Sequence, residues 1–545
     1  MSYRGRPSKG CQMCRSRKVK CDEAKPTCGR CMKANRECQY RDDSELYFRN
    51  QTSLAAQRAE DSWRKRSAKS PNNRKSDEPS EPDPDPVSLP EIQYPTPDEG
   101  IKPDLHQLAY NRFLFDFVLP NDSVNRDGPN NGFLTFLPSL YEQSSPGSCL
   151  YAAMFAVSFA NFDGRFKSPE ARLLSSEYCG RALKSIQLAI QDQSQAKSDK
   201  TLLAVYLLGI YENLTATTYN GSWIAHKKGS TALIRLRDPQ QYNTSVGAQL
   251  FDLVYVQMLL GCLSANEEPP ASLEAWADLI HSNALSSPIP GIRLTKVVYE
   301  TAVIWAQWRK FKSMQAGSSN ENNVEVQLLA EKARTLDARY QAWEDALPDS
   351  WKFQSFANTP NVHASFDPKW VRLLLEHPGA PPIIHIYGSL KTALAWNFYR
   401  ISRLFLNRVI LDLNDTITSP PSDHSMAASI ESMDYINAEY QIAQLAEDVC
   451  ASILCHFTVQ IPSRSESNSA DDICGMRGYV LLWPLSILNN AIRAGIVKGI
   501  DGVSRRDWIK GVLLYMHNDL GIAKARAAIQ ASYEPSSVFS PLPSP

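Results

Sequence analysis

No stretch of eighteen uninterrupted apolar residues occurs in this 545-residue chain. The longest contender, after Arg477, is broken by Pro484, Asn489, Asn490 and Arg493, so no membrane-spanning helix is expected. The first ten residues, MSYRGRPSKG, lack the apolar core of an export signal, which argues against a disulfide-stapled secreted module. Catalytic signatures are missing too. There is no G-x-S-x-G elbow, P-loop, H-E-x-x-H, or G-x-G-x-x-G opening a helix. Net charge is zero, with 58 Lys+Arg against 58 Asp+Glu, and its distribution is uneven. Residues 1–76 carry twenty basic and eight acidic side chains (+12), and residues 77–100 carry eight acidic and no basic ones (−8). The remainder, by difference, holds 38 against 42 (−4). A basic head on a near-neutral body suits a nucleic-acid partner.

What is abundant is cysteine in one place. Six of the chain's twelve fall within 28 residues, at Cys11, Cys14, Cys21, Cys28, Cys31 and Cys38. The spacing is C-x2-C-x6-C, a loop, then C-x2-C-x6-C again. Cysteines separated by two residues chelate one ion from a tight turn, and a third closes the site. Six thiolates cannot give two tetrahedral zinc ions four private ligands each. Two must bridge, and the repeat nominates the first cysteine of each half, Cys11 and Cys28. A structural zinc knuckle is the plainer alternative, but residues 1–41 hold twelve Lys/Arg against three Asp/Glu, a charge such a knuckle does not need. So short a segment folds only with metal. The other six cysteines (149, 179, 262, 450, 455, 474) have no ligand spacing and read as buried free thiols.

Arg15, Arg17, Lys18 and Lys20 lie between the second and third cysteines, Asp22 follows the third, and Pro26 sits in the joining loop. With these residues the segment resembles the fungal zinc binuclear cluster family of transcription factors across residues 11–38, with no departure in spacing. The resemblance implies two zinc ions per chain and a basic first helix in the DNA major groove over a CGG-type triplet. It also implies base contact from the lysine three residues before the third cysteine, here Lys18. Arg15, Arg17 and Lys20 are then mainly phosphate contacts.

Residues 42–104 read as a linker. Leu46 and Leu54 do not extend into a sustained heptad, which disfavours a coiled coil. Arg64, Lys65, Arg66, Lys69, Arg74 and Lys75 form a basic group suited to nuclear import or phosphate contact, or simply a solvated tail. The Pro-, Ser- and acid-rich run that follows cannot bury a core and is expected to be disordered, a spacer more than an activation segment.

From Leu105 the pattern becomes helical. Candidates are 105–118, 149–161, 170–192, 200–217, 246–263, 295–313, 324–347, 383–412, 433–459, 478–498 and 505–531, separated by proline pairs such as Pro269–Pro270, Pro381–Pro382 and Pro420–Pro421. In 324–347, Val326, Leu329, Ala333, Leu336, Tyr340, Trp343 and Leu347 share one face, with Glu331, Lys332, Asp337 and Glu344 off it. The 383–412 stretch, with Trp396, Phe398, Ile401, Leu404 and Phe405, is apolar nearly all round and should cross a core. An all-α body over 105–531 follows, with a tail at 532–545. Leu336-x6-Trp343-x3-Leu347-Pro348 with Trp351, and LLAVYLLGIYENL followed by SWIAHKKGSTALIRLR, resemble the fungal-specific transcription factor domain, or middle homology region. That resemblance implies a helical, superhelix-like regulatory domain.

The body offers no catalytic constellation. His226 beside Lys227 and Lys228 reads as a packing histidine, Cys455 and His456 are helical neighbours that point apart, and Trp305, Trp308 and Phe311 read as core. The expectation is a nuclear, sequence-specific DNA-binding regulator of RNA polymerase II genes. Its partners would be double-stranded DNA, transcription machinery or co-regulators, and a second copy as a homodimer. It is expected not to be an enzyme and not to meet a membrane. The competing readings are an enzyme or metabolite-binding helical protein with a DNA-binding head, and a metal-buffering scaffold binding nucleic acid without sequence choice.

Overall fold

The computed structural model describes residues 11, 13–14, 17, 19, 21–24, 27–34 and 38 of the N-terminal segment. Beyond it, residues 104–531 are described apart from 120–131, 217, 219–222, 283–289, 316–322, 418–425 and 459–472. The expected linker up to residue 103, its basic group and the 532–545 tail lie outside the described residues. The chain divides into two compact units, Met1–Thr96 and Pro97–Pro545.

In the first unit the six cysteines stand together, and a short helix, α1 (Gly29–Lys33), starts directly after Cys28. The second unit is largely helical. Its N-terminal part packs α2 (Leu105–Phe117), α3 (Cys149–Phe166), α4 (Pro169–Ala189) and α5 (Asp199–Thr215) against one another. Short polar residues start these helices. Asp104 accepts from the His106 amide, and the hydroxyls of Ser148, Ser168 and Ser198 accept from the amides of Tyr151, Ala171 and Thr201. Lys167 and Asn266 end α3 and α7 in the left-handed region.

Next come α6 (Trp223–Leu236), α7 (Ser245–Ala265), α8 (Ala271–Ser282), α9 (Pro290–Gln315) and α10 (Asn323–Asp345). The strands β1 (Gln354–Ala357) and β2 (Ile383–Ile386) pair antiparallel, with Gln354 opposite Ile386 and Ala357 opposite Ile383. Then α11 (Leu390–Ile417) and α12 (Met426–Thr458) pack side by side, and the turn Gly475–Tyr479 leads to α13 (Leu482–Arg493), α14 (Gly502–Asn518) and α15 (Ala523–Ala531). One continuous apolar core runs from Ala109 to Ala525 and includes Trp305, Trp308, Trp370 and Trp508. Gly164 and Gly521 let two backbones meet. A Cβ at either would lie 2.5 Å from main-chain atoms of the other, and Gly521 has φ +71°.

Every residue of the apolar face expected in 324–347 is buried, from Val326 to Leu347. Trp343 Nε1 donates to Pro290 O at 2.7 Å, and Trp396 Nε1 donates to Trp351 O at 2.8 Å, which ties this motif to α9 and α11. Other expectations need correction. The 383–412 stretch is not one helix. Residues 383–386 pair with β1 and the helix starts at Leu390. Nor is it apolar all round, since Asn397, Arg400, Arg403 and Asn407 are buried in it, whereas Phe398 is only half-buried. The 505–531 stretch breaks at Leu520–Ile522 around Gly521. Helices α6 and α8 were not anticipated.

Among the described helices, Ser245–Ala265 is long and apolar enough to cross a membrane by length and composition alone, with mean hydropathy 1.6. Its Leu250, Phe251, Val254, Tyr255, Met258, Leu259 and Leu263 are buried in the body's core, where an apolar helix is equally at home.

Candidate metal centre and nucleic-acid interface

The two C-x2-C turns repeat one geometry. The Cys14 amide points at Cys11 Sγ (3.5 Å), and the Cys31 amide at Cys28 Sγ (3.3 Å). The first cysteine of each pair thus takes the N-cap position of the turn that presents the second. Cys11 Sγ lies 3.7 Å from both Cys28 Sγ and Cys31 Sγ, and Cys14 Sγ lies 3.7 Å from Cys28 Sγ. All twelve cysteines are free thiols, and these separations far exceed the roughly 2.05 Å of a disulfide.

Two groups of four sulfurs result, each with its members within 4.8 Å: Cys11, Cys14, Cys21 and Cys28, and Cys11, Cys28, Cys31 and Cys38. Cys11 and Cys28 belong to both groups and are completely buried, whereas Cys21 and Cys38 lie at the edge. Tetrahedral zinc with sulfur at about 2.3 Å requires neighbouring sulfurs about 3.8 Å apart, so the donor set fits two zinc ions. The Cys31 amide holds the Cys28 thiol below its ordinary pKa, and burial pushes the Cys14 thiol up to about 12. Zinc binding displaces such protons. The Cys28 amide also points at Cys38 Sγ (3.3 Å).

One residue of this centre had no role assigned from sequence. Asp22 Oδ2 accepts from the Gly29 amide at 2.8 Å and so fastens the end of the first half to the start of α1. A Cβ on residue 29 would lie 2.7 Å from that oxygen, so a larger residue there would make the Asp22 carboxylate shift. The only sequence signal was an acid directly after the third cysteine.

Of the expected DNA contacts, Arg17 is described and exposed, with its amide donating to Met13 O at 3.3 Å. Arg15, Lys18 and Lys20 lie outside the described residues. Arg30 and Lys33 on α1 are exposed as well and add basic charge on the second half.

In the body, His226 Nε2 lies 3.6 Å from Glu212 Oε1. Cys455 and His456 do point apart: Cys455 Sγ accepts from the Tyr387 amide, while His456 Nδ1 donates to Ser452 O at 3.0 Å. Trp305 and Trp308 are core, and Phe311 is partly buried against it.

A family model described as the fungal specific transcription factor domain matches residues 109–446, and one described as the fungal Zn(2)-Cys(6) binuclear cluster domain matches residues 9–47. Over 405 residues the chain is 24% identical to transcription factor dbaG of Emericella nidulans, covering 72% of this chain and 86% of the relative. Transcription factor lfc1 of Flammulina velutipes is 54% identical over 39 residues, 7% of this chain and 14% of that one. Transcription activator AMTR1 of Alternaria alternata is 47% identical over 60 residues, 11% of this chain and 7% of that one. No solved structure matches the chain.

Proposed function

Because the chain belongs to the fungal zinc-cluster transcription factor family, we propose that its head reads a CGG-type triplet in the DNA major groove and its helical body regulates transcription of RNA polymerase II genes in the nucleus. The cluster domain carries two zinc ions on six cysteines. In the proposed assignment Cys11 and Cys28 bridge, Cys14 and Cys21 complete one site, and Cys31 and Cys38 complete the other. Lys18 hydrogen-bonds to base edges in this reading, and Arg15, Arg17 and Lys20 neutralise phosphates. Residues 1–41 are the DNA-binding domain, 42–104 the linker, 105–531 the regulatory domain and 532–545 a tail. Co-regulators and a second copy of the chain are its protein partners.

The observation that carries this reading is the pair of overlapping thiol groups sharing Cys11 and Cys28. A zinc pair held this way supplies the rigidity that a segment without a core lacks, and so fixes the angle at which the basic residues meet DNA. The body adds no chemistry in this reading, in keeping with relatives named as transcription factors. In vitro selection of DNA bound by the full chain tests the proposal. Enrichment of CGG-type triplets is expected. Steeply salt-dependent binding with no enriched sequence would overturn it in favour of a scaffold that binds nucleic acid non-specifically.

A further inference from the structure

Helix α4 packs on α3 and α5, burying Ala171, Ser175, Tyr178, Ala182 and Ala189. Its opposite face holds apolar side chains out in solvent. Leu173 is 74% exposed, Leu188 60%, Leu183 46% and, just past the helix, Ile190 45%. Single exposed leucines are common on a protein surface, but a row of them along one helix marks a contact face. At about 3.6 residues per turn, Leu173, Glu177, Gly180, Lys184 and Leu188 fall on one seam, stepping by four, three, four and four.

The seam runs apolar, acid, glycine, base, apolar, and that order is its own complement when reversed. An antiparallel copy centred on the Gly180–Arg181 peptide sets Leu173 against the partner's Leu188 and Glu177 against the partner's Lys184, because the members of each pair are equidistant from that centre. Two-fold symmetry then repeats both contacts. A parallel copy would set Glu177 against the partner's Glu177 and Lys184 against the partner's Lys184, so the charges select the antiparallel arrangement. Glu177 is bonded to Arg181 one turn on, whereas Lys184 forms no ion pair among the described residues. A Cβ on Gly180 would meet nothing within 4 Å, so at the centre of the seam a second helix has room to approach the backbone closely.

We propose that α4 is the surface through which two copies of this chain pair, antiparallel and two-fold, with Leu173 against the partner's Leu188 at each end and Glu177 bonded to the partner's Lys184 on each side of Gly180. This deepens the pairing with a second copy proposed above and rests on that reading. The segment after the cysteine frame has no sustained heptad to do the same work, since Leu46 and Leu54 do not extend into one. One helix per copy buries less than the roughly 800 Å² per partner of a standard interface, so the pairing is weak, with a dissociation constant of about 1–100 μM.

Sedimentation equilibrium of the zinc-loaded full chain between about 1 and 200 μM brackets that range and tests the proposal. The wild type is expected to pass from monomer to dimer across it. Leu173→Asp places a charge in both end contacts and should weaken pairing at least about tenfold. Glu177→Lys and Lys184→Glu should each do the same by setting like charges opposite one another. Mixing these two variants in equal amounts should restore a dimer, a heterodimer in which every lysine of the seam again meets a glutamate. All three positions are exposed, so the variants should keep the zinc content and circular dichroism of the wild type. Recovery on mixing is not expected of chains that have merely misfolded. A wild type that stays monomeric throughout would overturn this surface and the second-copy reading together. A wild-type dimer that none of the three substitutions weakens would overturn the role of α4 and leave that reading standing. Two monomeric variants that stay apart on mixing would overturn the antiparallel register.

Discussion

Arg403 and Asp337 meet as a parallel fork between α11 and α10, with Nε to Oδ1 and Nη2 to Oδ2 both at 2.8 Å. Asn407 Nδ2 adds a third donor to Asp337 at 2.9 Å, and Tyr399 OH links Arg403 Nη1 to Glu344 Oε2. Arg403 is 6% exposed at its side chain, so the pair is mostly removed from water, and its hydrogen bonds meet much of the desolvation cost.

Asp337→Ala would leave the guanidinium buried without its carboxylate, which costs about 3–5 kcal/mol. Urea unfolding followed by far-UV circular dichroism should show this loss, with zinc content of the chain unchanged. Replacing Asp337 and Arg403 together by Leu and Met should cost much less, since no charge is then stranded. Equal losses in the single and double variants would contradict a coupled pair.

Cys11→Ala should lower zinc content from two ions toward none, because Cys11 stands in both thiol groups. Cys14→Ala removes a member of one group only and should leave one firmly held ion. Native mass spectrometry of the full chain reads both counts directly. Chelating the metal should unfold the head while leaving the helical signal of the body in place.

The cysteine frame and α10 were legible because each obeys a local rule. Ligand spacing lies within 28 residues of sequence, and the α10 face steps by three and four with no interruption. Where partners are distant in sequence, the pattern misled. Helix α6 reads as polar through HisLysLysGlySerThr, yet Lys227 is buried, with its side chain laid against Gly261, 34 positions on. The 383–412 stretch was read as apolar nearly all round and its arginines were passed over, yet Arg403 is matched by Asp337 on α10 and Arg400 by Tyr387 after β2. β2 runs as Ile-Ile-His-Ile toward the next helix, and only its pairing with β1 makes it a strand. The Asp22–Gly29 bond was missed for the same reason, since a capping acid is recognised only when its amide is in view.

Acid should weaken the body through two buried histidines. Burial holds His385 at about 3 and His456 at about 4, both below the ordinary 6.5. His385 faces Arg400, Asp448 and Tyr387, and His456 faces Asn397, Ser452, Arg477 and Arg400. The folded chain therefore binds fewer protons than the unfolded chain between those values, so stability falls as pH drops below about 6.5, by up to about 1.4 kcal/mol per pH unit for each histidine. Asp448, raised by burial, acts in the opposite sense and loses its contribution as pH rises through its folded value. Denaturant midpoints between pH 7 and 4.5 should fall steeply for the wild type and less for His385→Gln/His456→Gln. A double variant as acid-sensitive as the wild type would assign the effect to other groups.

The division of labour on DNA is open to a direct comparison. Arg17 is exposed on the first half of the head and is the proposed phosphate contact. Its removal takes away one neutralised phosphate, so Arg17→Ala should weaken matched and mismatched DNA alike and reduce the slope of log K against log salt by about one. Lys18 is the proposed base reader. Lys18→Ala should lose about 1–3 kcal/mol on the CGG-type site and little on DNA without it, flattening the preference. Fluorescence anisotropy with both duplexes at three salt concentrations separates the two effects, because charge loss changes the slope and lost base contact changes the ratio. If Lys18→Ala lowers the slope and leaves the ratio intact, Lys18 is a phosphate contact and the base reader lies elsewhere in the basic run.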